Sequence, residues 1–104
     1  MRTPWAGVVG MPVKHSLSPE IFRRFSEDLG RPLRYRALEI LPEHLKPALT
    51  AARKRPWLGW NVTVPHKEAV VGLLDRLDPW ASAVGAVNVV MFQDGLAMGY
   101  NTDV

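Results

Sequence analysis

Asn61, Thr63 and Lys67 are the residues whose types and spacing point most directly to chemistry. They lie in "GWNVTVPHKEAV", residues 59–70, which begins with the alternation typical of a strand. Because side chains two residues apart in a strand share a face, the amide of Asn61 and the hydroxyl of Thr63 should point the same way. Pro65 suits the start of a helix, which would put Lys67 in the first helical turn. These groups could bind a polar ligand and transfer a proton to it. A capped helix with a surface lysine explains the spacing equally well.

Ser16 and Ser18 lie in "HSLSP", where an apolar segment gives way to a helical one. Ser18 is a good N-cap, and Pro19 is a natural first residue of the helix. Hydroxyls and free N–H groups at a helix N-terminus can bind a carboxylate. A loop serine followed by a simple cap is at least as good an explanation. No base obviously partners either serine, which argues against a serine nucleophile.

Two further polar residues, Asn88 and Asp103, lie near the end of the chain, in "GAVNVV" and "GYNTDV". On local grounds, Asn88 is best explained as an asparagine that bonds to backbone, and "GYNTD" as an ordinary turn. If the loops converge, however, the carboxylate of Asp103 could pair with Lys67. The helix dipole would disfavour the charged amine of Lys67 and the carboxylate would favour it, and the sequence leaves open which prevails. We expect the two groups to act as one coupled pair.

The sequence argues against several kinds of site. It has no cysteine, and its three histidines are far apart, so neither a disulfide nor a metal site is expected. "GVVG", residues 7–10, resembles a phosphate loop, but Pro12 follows it and neither G-x-G-x-x-G nor a P-loop occurs. We therefore expect no cofactor-binding residues in this chain.

The composition is that of an ordinary globular domain, with 47% hydrophobic and 22% charged residues. The net charge of +3 does not by itself indicate nucleic-acid binding, because the basic clusters lack interleaved glycines and aromatics. No segment has the length or character of a signal peptide or a membrane span. We expect a cytoplasmic protein that binds neither nucleic acid nor membrane.

Apolar and alternating segments predict strands at residues 5–11, 33–40 and 57–64. Helices are predicted at residues 18–30, 41–55, 65–77 and, capped by Asp78, at 79–84. Pro47 should kink the second helix or delay its start. "QDG" predicts a hairpin between two further strands. This order indicates an α/β fold with a mostly parallel sheet, flanking helices and a C-terminal β-hairpin of antiparallel edge strands. The chain stops at "GYNTDV" without a closing helix, so we expect residues 1–104 to be one domain cut from a longer protein.

The four motifs "HSLSP", "NVTVPHK", "GAVN" and "GYNTD" occur in an order and spacing that resembles the N-terminal substrate-binding domain of the shikimate dehydrogenases. The resemblance runs from about residue 7 to residue 104. One departure is Val89, where the family often has a threonine after "GAVN". Another is Phe22 with Arg23, where the family often has histidine and asparagine.

The resemblance implies that the parent enzyme reduces 3-dehydroshikimate to shikimate with NADPH, on the route to the aromatic amino acids. NADP would be bound by a Rossmann domain that is absent from this chain, which alone should be inactive. Ser16 and Ser18 would hold the substrate carboxylate, and Asn61, Thr63 and Asn88 would contact ring hydroxyls. Lys67 and Asp103 would form the catalytic pair and also contact the substrate.

Several alternatives stay open. The parent enzyme could act on quinate as well as shikimate, or the chain could be a stand-alone module that binds a small polyhydroxylated carboxylate without turnover. Apart from this small-molecule substrate, the one partner that we consider is a second copy of the chain in a homodimer.

Overall fold

The computed structural model describes residues 5–12, 34–54 and 57–102. The helix predicted at residues 18–30 lies outside these ranges. The described residues contain six strands, β1 (Trp5–Gly10), β2 (Arg34–Glu39), β3 (Trp57–Val62), β4 (Arg76–Leu77), β5 (Val89–Gln93) and β6 (Leu96–Tyr100). They form one sheet in the order β2-β1-β3-β5-β6-β4.

The sheet is mixed. β1 is parallel to β2 and to β3, and β4 is parallel to β6. β5 is antiparallel to β3 on one side and to β6 on the other. Most neighbouring strands therefore run parallel, and the predicted α/β class with a C-terminal hairpin is confirmed.

The hairpin joins β5 to β6 through Asp94 and Gly95. Both residues have positive φ, at 54° and 79°. A two-residue turn with positive φ at both positions matches the twist of the flanking strands, and Asp-Gly favours it strongly. The predicted hairpin is thus confirmed, but it is not at the edge of the sheet, because β4 adds to the outer side of β6.

The helices flank the sheet. A 3₁₀ helix (Pro42–His44) leads into α1 (Leu45–Ala52), so the predicted helix does begin at Pro42. Pro47 is the third residue of α1, where its missing N–H removes no bond within the helix. After β3 come α2 (His66–Ala69) and a second 3₁₀ helix (Val71–Leu73). The last helix, α3 (Pro79–Val84), has the bounds that the sequence predicts.

Both ends of α3 are specified locally. The Asp78 carboxylate accepts a hydrogen bond from the backbone N–H of Ala81 at 2.7 Å, as expected of an N-cap. Gly85 has a φ of 75° and terminates the helix in the left-handed conformation that glycine tolerates best.

The helix predicted at residues 65–77 is wrong beyond its first turns, because residues 75–78 bond to β6 instead. The backbone N–H of Asp75 donates to the Ala97 carbonyl at 2.8 Å, and that of Asp78 donates to the Gly99 carbonyl at 2.9 Å. The Asp75 carboxylate accepts the N–H of Ala97 at 2.7 Å. It also forms an ion pair with Arg53 at 3.0 Å. These long-range bonds replace the helical ones.

The core lies mainly on one face of the sheet. Leu45 and Leu49 of α1 are almost fully buried and belong to the same cluster as Val9, Trp60 and Val90 from three strands. An aromatic row lies along this face, with ring centroids 6.0 Å apart for Trp5–Trp57 and for Trp57–Trp60, and 5.2 Å for Trp60–Phe92. Burial of this face fixes which side chains of β3 point to the opposite side.

We expect Asp75→Ala to lower the free energy of unfolding by about 1–3 kcal/mol, because it leaves the N–H of Ala97 without its acceptor and removes the ion pair with Arg53. Urea unfolding of the intact protein measures the change. Glu43→Ala, at an exposed position, is the control and should change stability by less than about 0.5 kcal/mol. Equal effects of the two substitutions would contradict this role for Asp75.

Candidate functional site

The sheet topology brings several polar segments to one edge. β1, β2 and β3 run parallel, so their carboxyl ends lie side by side. Because β5 is antiparallel to β3 and β6 is antiparallel to β5, the start of β5 and the end of β6 lie at the same edge. In open α/β sheets, the carboxyl ends of the parallel strands are the usual place for a ligand.

Asn61 and Thr63 lie at this edge, on the face opposite the aromatic row. Asn61 is paired with Val8 of β1 and Val89 of β5. Thr63 follows the end of β3, and its backbone N–H donates to the Val9 carbonyl at 2.9 Å. Both side chains are half-buried. Among the residues that the structure describes, neither side chain has a hydrogen-bond partner, so the Asn61 amide and the Thr63 hydroxyl are available to a ligand.

Gly10, at the end of β1, lies against Thr63. A Cβ added at Gly10 would collide with Cγ2 of Thr63 and would lie 3.1 Å from the Val64 carbonyl oxygen. The absence of a side chain at Gly10 therefore allows Thr63 to pack closely against β1. The Thr63 hydroxyl is held in place partly by this contact.

Lys67 is the second residue of α2 and is half-buried. Its carbonyl accepts a hydrogen bond from the backbone N–H of Val87 at 2.8 Å. This bond ties the start of α2 to the segment before β5. Since α2 has only four residues, its dipole is small, and the argument that this dipole disfavours the charged amine loses force.

His66, next to Lys67, is a residue whose role the sequence did not indicate. Its side chain is fully buried, and its Nε2 lies 2.6 Å from the Ile40 carbonyl oxygen. Because a carbonyl only accepts, Nε2 must carry the proton and donate. The N–H of Ile40 in turn donates to the Gly10 carbonyl at 3.0 Å. His66 thus fastens α2 to the ends of β1 and β2. Burial beside an apolar strand end is not readable from an isolated histidine in a sequence.

Asn88 joins three segments at the edge. Its carbonyl accepts from the N–H of Val62 at 2.7 Å, and its own N–H donates to the Tyr100 carbonyl at 3.0 Å. Its side chain makes two bonds to Thr102: Nδ2 donates to the hydroxyl at 2.8 Å, and Oδ1 accepts the backbone N–H at 3.0 Å. The local expectation that Asn88 bonds to backbone is therefore correct. The amide retains one N–H and one acceptor position for a ligand.

Asn101 is a second residue that the sequence reasoning missed. It is only 8% exposed, and its Nδ2 donates to the Ala86 carbonyl at 3.1 Å. "GYNTD" is thus more than an exposed turn, because Asn101 anchors it to the interior. A buried asparagine in a turn motif could have been suspected only if the pairing of the two loops were known.

The predicted site is thus assembled in part. Asn61, Thr63, Lys67 and Asn88 lie in segments that bond directly to one another at the same edge. Ser16, Ser18 and Asp103 lie outside the described residues, so their contribution stays a prediction. In residues 5–12, 34–54 and 57–102, no group of three or more His, Cys, Asp or Glu side chains could hold a metal ion. No helix in the same ranges is both long and apolar enough to cross a membrane.

The glycines of "GVVG" do not form a phosphate cradle. Gly7 and Gly10 both lie within β1. A Cβ at Gly7 would approach the Arg36 carbonyl oxygen to 2.8 Å, and one at Gly10 would meet Thr63. Both glycines therefore accommodate neighbours in the sheet, whereas a dinucleotide site needs glycines at the turn from strand to helix. The described residues do not fit a dinucleotide.

Comparison with known proteins identifies the domain. The family described as "Shikimate dehydrogenase substrate binding domain" matches residues 8–90. The chain belongs to this family. The match includes β3, α2 and Asn88, the parts of the site that the structure describes.

Individual shikimate dehydrogenases are also similar to the chain. The shikimate dehydrogenase (NADP(+)) of Paramagnetospirillum magneticum is 48% identical over 99 residues, which cover 94% of the chain and 36% of that protein. The crystal structure of the Aquifex aeolicus shikimate dehydrogenase has a TM-score of 0.88 at 46% identity, covering 97% of the chain and 38% of its own. The chain thus spans little more than a third of the length of these relatives.

A relative has also been solved with ligands. The shikimate 5-dehydrogenase of Thermus thermophilus, in complex with NADP(H) and shikimate, has a TM-score of 0.87 at 40% identity. The match covers 97% of the chain and 38% of that structure. This relative therefore binds both NADP(H) and shikimate.

We expect Gly10→Ala to lower the free energy of unfolding by about 1–3 kcal/mol, because the new methyl group must displace Thr63 or the backbone beside it. Gly72→Ala is the matched control, since a Cβ there meets nothing within 4 Å. It should change stability by less than about 1 kcal/mol or raise it. Thermal unfolding of the two variants of the intact protein provides the comparison. A stability loss at Gly72 as large as that at Gly10 would contradict the packing argument.

Proposed function

We propose that this chain is the substrate-binding domain of an NADP-dependent shikimate dehydrogenase, and that the intact protein reduces 3-dehydroshikimate to shikimate in aromatic amino-acid biosynthesis. The proposal depends mainly on one observation. In a chain that belongs to this family, hydrogen bonds join the segments that carry Asn61, Thr63, Lys67 and Asn88 at one edge of the sheet.

The chemistry of the substrate fits these groups. A ring that carries hydroxyls needs uncharged donors and acceptors, which Asn61, Thr63 and the remaining positions of Asn88 supply. Reduction of the ketone needs a proton at the oxygen, and the Lys67 amine can donate it. In the reverse reaction, the same amine accepts the hydroxyl proton. Lys67 is therefore the catalytic acid and base of the proposal.

Ser16, Ser18 and Asp103 complete the proposed site. The two serine hydroxyls would hold the substrate carboxylate, and the Asp103 carboxylate would orient the Lys67 amine. Support for placing Asp103 nearby comes from Thr102, the preceding residue, whose backbone N–H donates to the Asn88 side chain at 3.0 Å.

NADP is the proposed redox partner and would supply or accept the hydride. Because the described residues of this chain do not fit a dinucleotide, we propose that its binding residues lie outside residues 1–104. The share of about a third that the chain covers in its relatives supports this division. The function of this chain is then to bind and orient the substrate and to move the proton.

Location and assembly are further parts of the proposal. We place the protein in the cytoplasm, where its small-molecule substrate would be made and used. A homodimer is the assembly to be tested, by sedimentation of the intact protein.

The direct test is the reduction of NADP+ by the purified intact protein with shikimate or quinate as substrate. We expect a higher kcat/KM with shikimate. A higher value with quinate would make the protein a quinate/shikimate dehydrogenase instead. Ligand binding without turnover of either compound would favour a binding module.

We expect Lys67→Met to lower kcat for shikimate by about 10²–10⁴, because the reaction loses its proton donor and acceptor. Lys46→Met, on the exposed side of α1, is the control and should leave kcat within about twofold of the unsubstituted protein. Steady-state kinetics on the intact protein distinguishes the two. A Lys67→Met variant that keeps more than about a tenth of kcat would rule out the proposed role.

Asp103→Asn should change the pH dependence of kcat if Asp103 and Lys67 titrate as one pair. Asp94→Asn, in the hairpin turn, removes the same charge away from the site and should leave the profile unchanged. The pH profiles of the two variants are compared with that of the intact protein. An identical profile for Asp103→Asn would show that the two groups are not coupled.

The isolated chain of residues 1–104 should bind shikimate weakly and should not oxidise NADPH. It has part of the substrate site, but its described residues do not fit the dinucleotide. Calorimetric titration and NADPH absorbance measure the two properties. Oxidation of NADPH by these residues alone would contradict the proposed division of the site.

A further inference from the structure

Thr102 makes two hydrogen bonds to a single side chain. Its backbone N–H donates to Oδ1 of Asn88 at 3.0 Å, and its hydroxyl accepts from Nδ2 of the same amide at 2.8 Å. Together these bonds close a ring between the two residues. Because both ends of the amide are engaged, neither the Asn88 side chain nor the Thr102 backbone can rotate without breaking a bond.

The residues beside Thr102 are also held by the segment before β5. The Tyr100 carbonyl accepts the backbone N–H of Asn88 at 3.0 Å. The buried side chain of Asn101 donates to the Ala86 carbonyl at 3.1 Å. Asn101 thus anchors the chain toward the interior, while the exposed Thr102 anchors it at the surface. The backbone that leads to residue 103 is fixed from both sides.

The same segment holds Lys67. Val87 lies between Ala86 and Asn88, and its N–H donates to the Lys67 carbonyl at 2.8 Å. Residues 86–88 therefore form a common frame that fixes the backbone of Lys67 on one side and the backbone before Asp103 on the other. A shift of Thr102 relative to this frame would move Asp103 relative to Lys67.

We propose that Thr102 is a positioning residue whose hydroxyl, through Asn88, sets the place of the Asp103 carboxylate relative to the Lys67 amine. This inference rests on the proposed function, in which these two groups perform the proton transfer. Loss of the hydroxyl would leave Nδ2 of Asn88 without its acceptor, and the amide and the turn could then move apart. Proton transfer is sensitive to such displacements, because the donor must lie within hydrogen-bond reach of the reacting oxygen.

The experiment compares Thr102→Val, Thr102→Ala and Thr102→Ser in the intact protein, with NADP+ and shikimate as substrates. Thr102→Val keeps the shape and removes the hydroxyl, and Thr102→Ala does so without added bulk. Thr102→Ser keeps the hydroxyl. Thr50→Val is the matched control, because Thr50 is an exposed threonine of α1 whose hydroxyl donates one bond, to the Lys46 carbonyl at 3.1 Å.

We expect Thr102→Val and Thr102→Ala to lower kcat by about threefold to tenfold, the effect of losing one hydrogen bond, with KM changed by less than about twofold. Thr102→Ser should retain kcat within about twofold, and so should Thr50→Val. The thermal midpoints of Thr102→Val and Thr50→Val should fall by similar amounts, since each loses one exposed hydrogen bond.

Three results would overturn the inference. Unchanged kcat in Thr102→Val and Thr102→Ala would show that the hydroxyl does not position the pair. A rise in KM at constant kcat would make Thr102 a residue that binds substrate. A loss in Thr102→Ser equal to that in Thr102→Val would show that the hydroxyl is not responsible. If the unsubstituted protein does not turn over shikimate with NADP+, the proposed function itself fails, and the inference fails with it.

Discussion

Hydrogen bonding by residues 86–88 is the constraint on which the rest of the site depends. Within three residues, the chain bonds to α2 at Lys67, to the end of β3 at Val62 and to the end of β6 at Tyr100. Two side-chain bonds between Asn88 and Thr102 add to these. Since the three partners are distant in sequence, this short segment determines how the polar residues of the site are arranged.

The bonds that arrange the site come almost entirely from uncharged groups. Backbone amides, carbonyls, two asparagines and one threonine form them. Such bonds do not weaken with salt as exposed ion pairs do. The protein can therefore hold Lys67 in position without assigning its charge to a structural role. The ion pair of Arg53 with Asp75 lies elsewhere and secures β4 and its neighbours.

Local signals account for the features that the sequence predicted well. Asp94 and Gly95 specify the hairpin, and Asp78 and Gly85 specify both ends of α3. Strand alternation correctly placed Asn61 and Thr63 on one face of the sheet. In contrast, β4 was predicted as helix, because its conformation is set by bonds to β6, about twenty residues further along. The roles of His66, Asn101 and Thr102 depend on contacts between distant segments, so no local pattern in the sequence reveals them.

The aromatic row gives the strand that carries the site a spectroscopic property of its own. Trp57 and Trp60 belong to β3, and their rings lie 6.0 Å apart, nearly perpendicular to each other. Trp60 is almost fully buried and is followed directly by Asn61. Indole rings this close, in a fixed and asymmetric arrangement, interact electronically and produce circular dichroism in the near ultraviolet. The packing beneath the ligand-facing side of β3 can therefore be followed by its natural chromophores, without any label near the substrate.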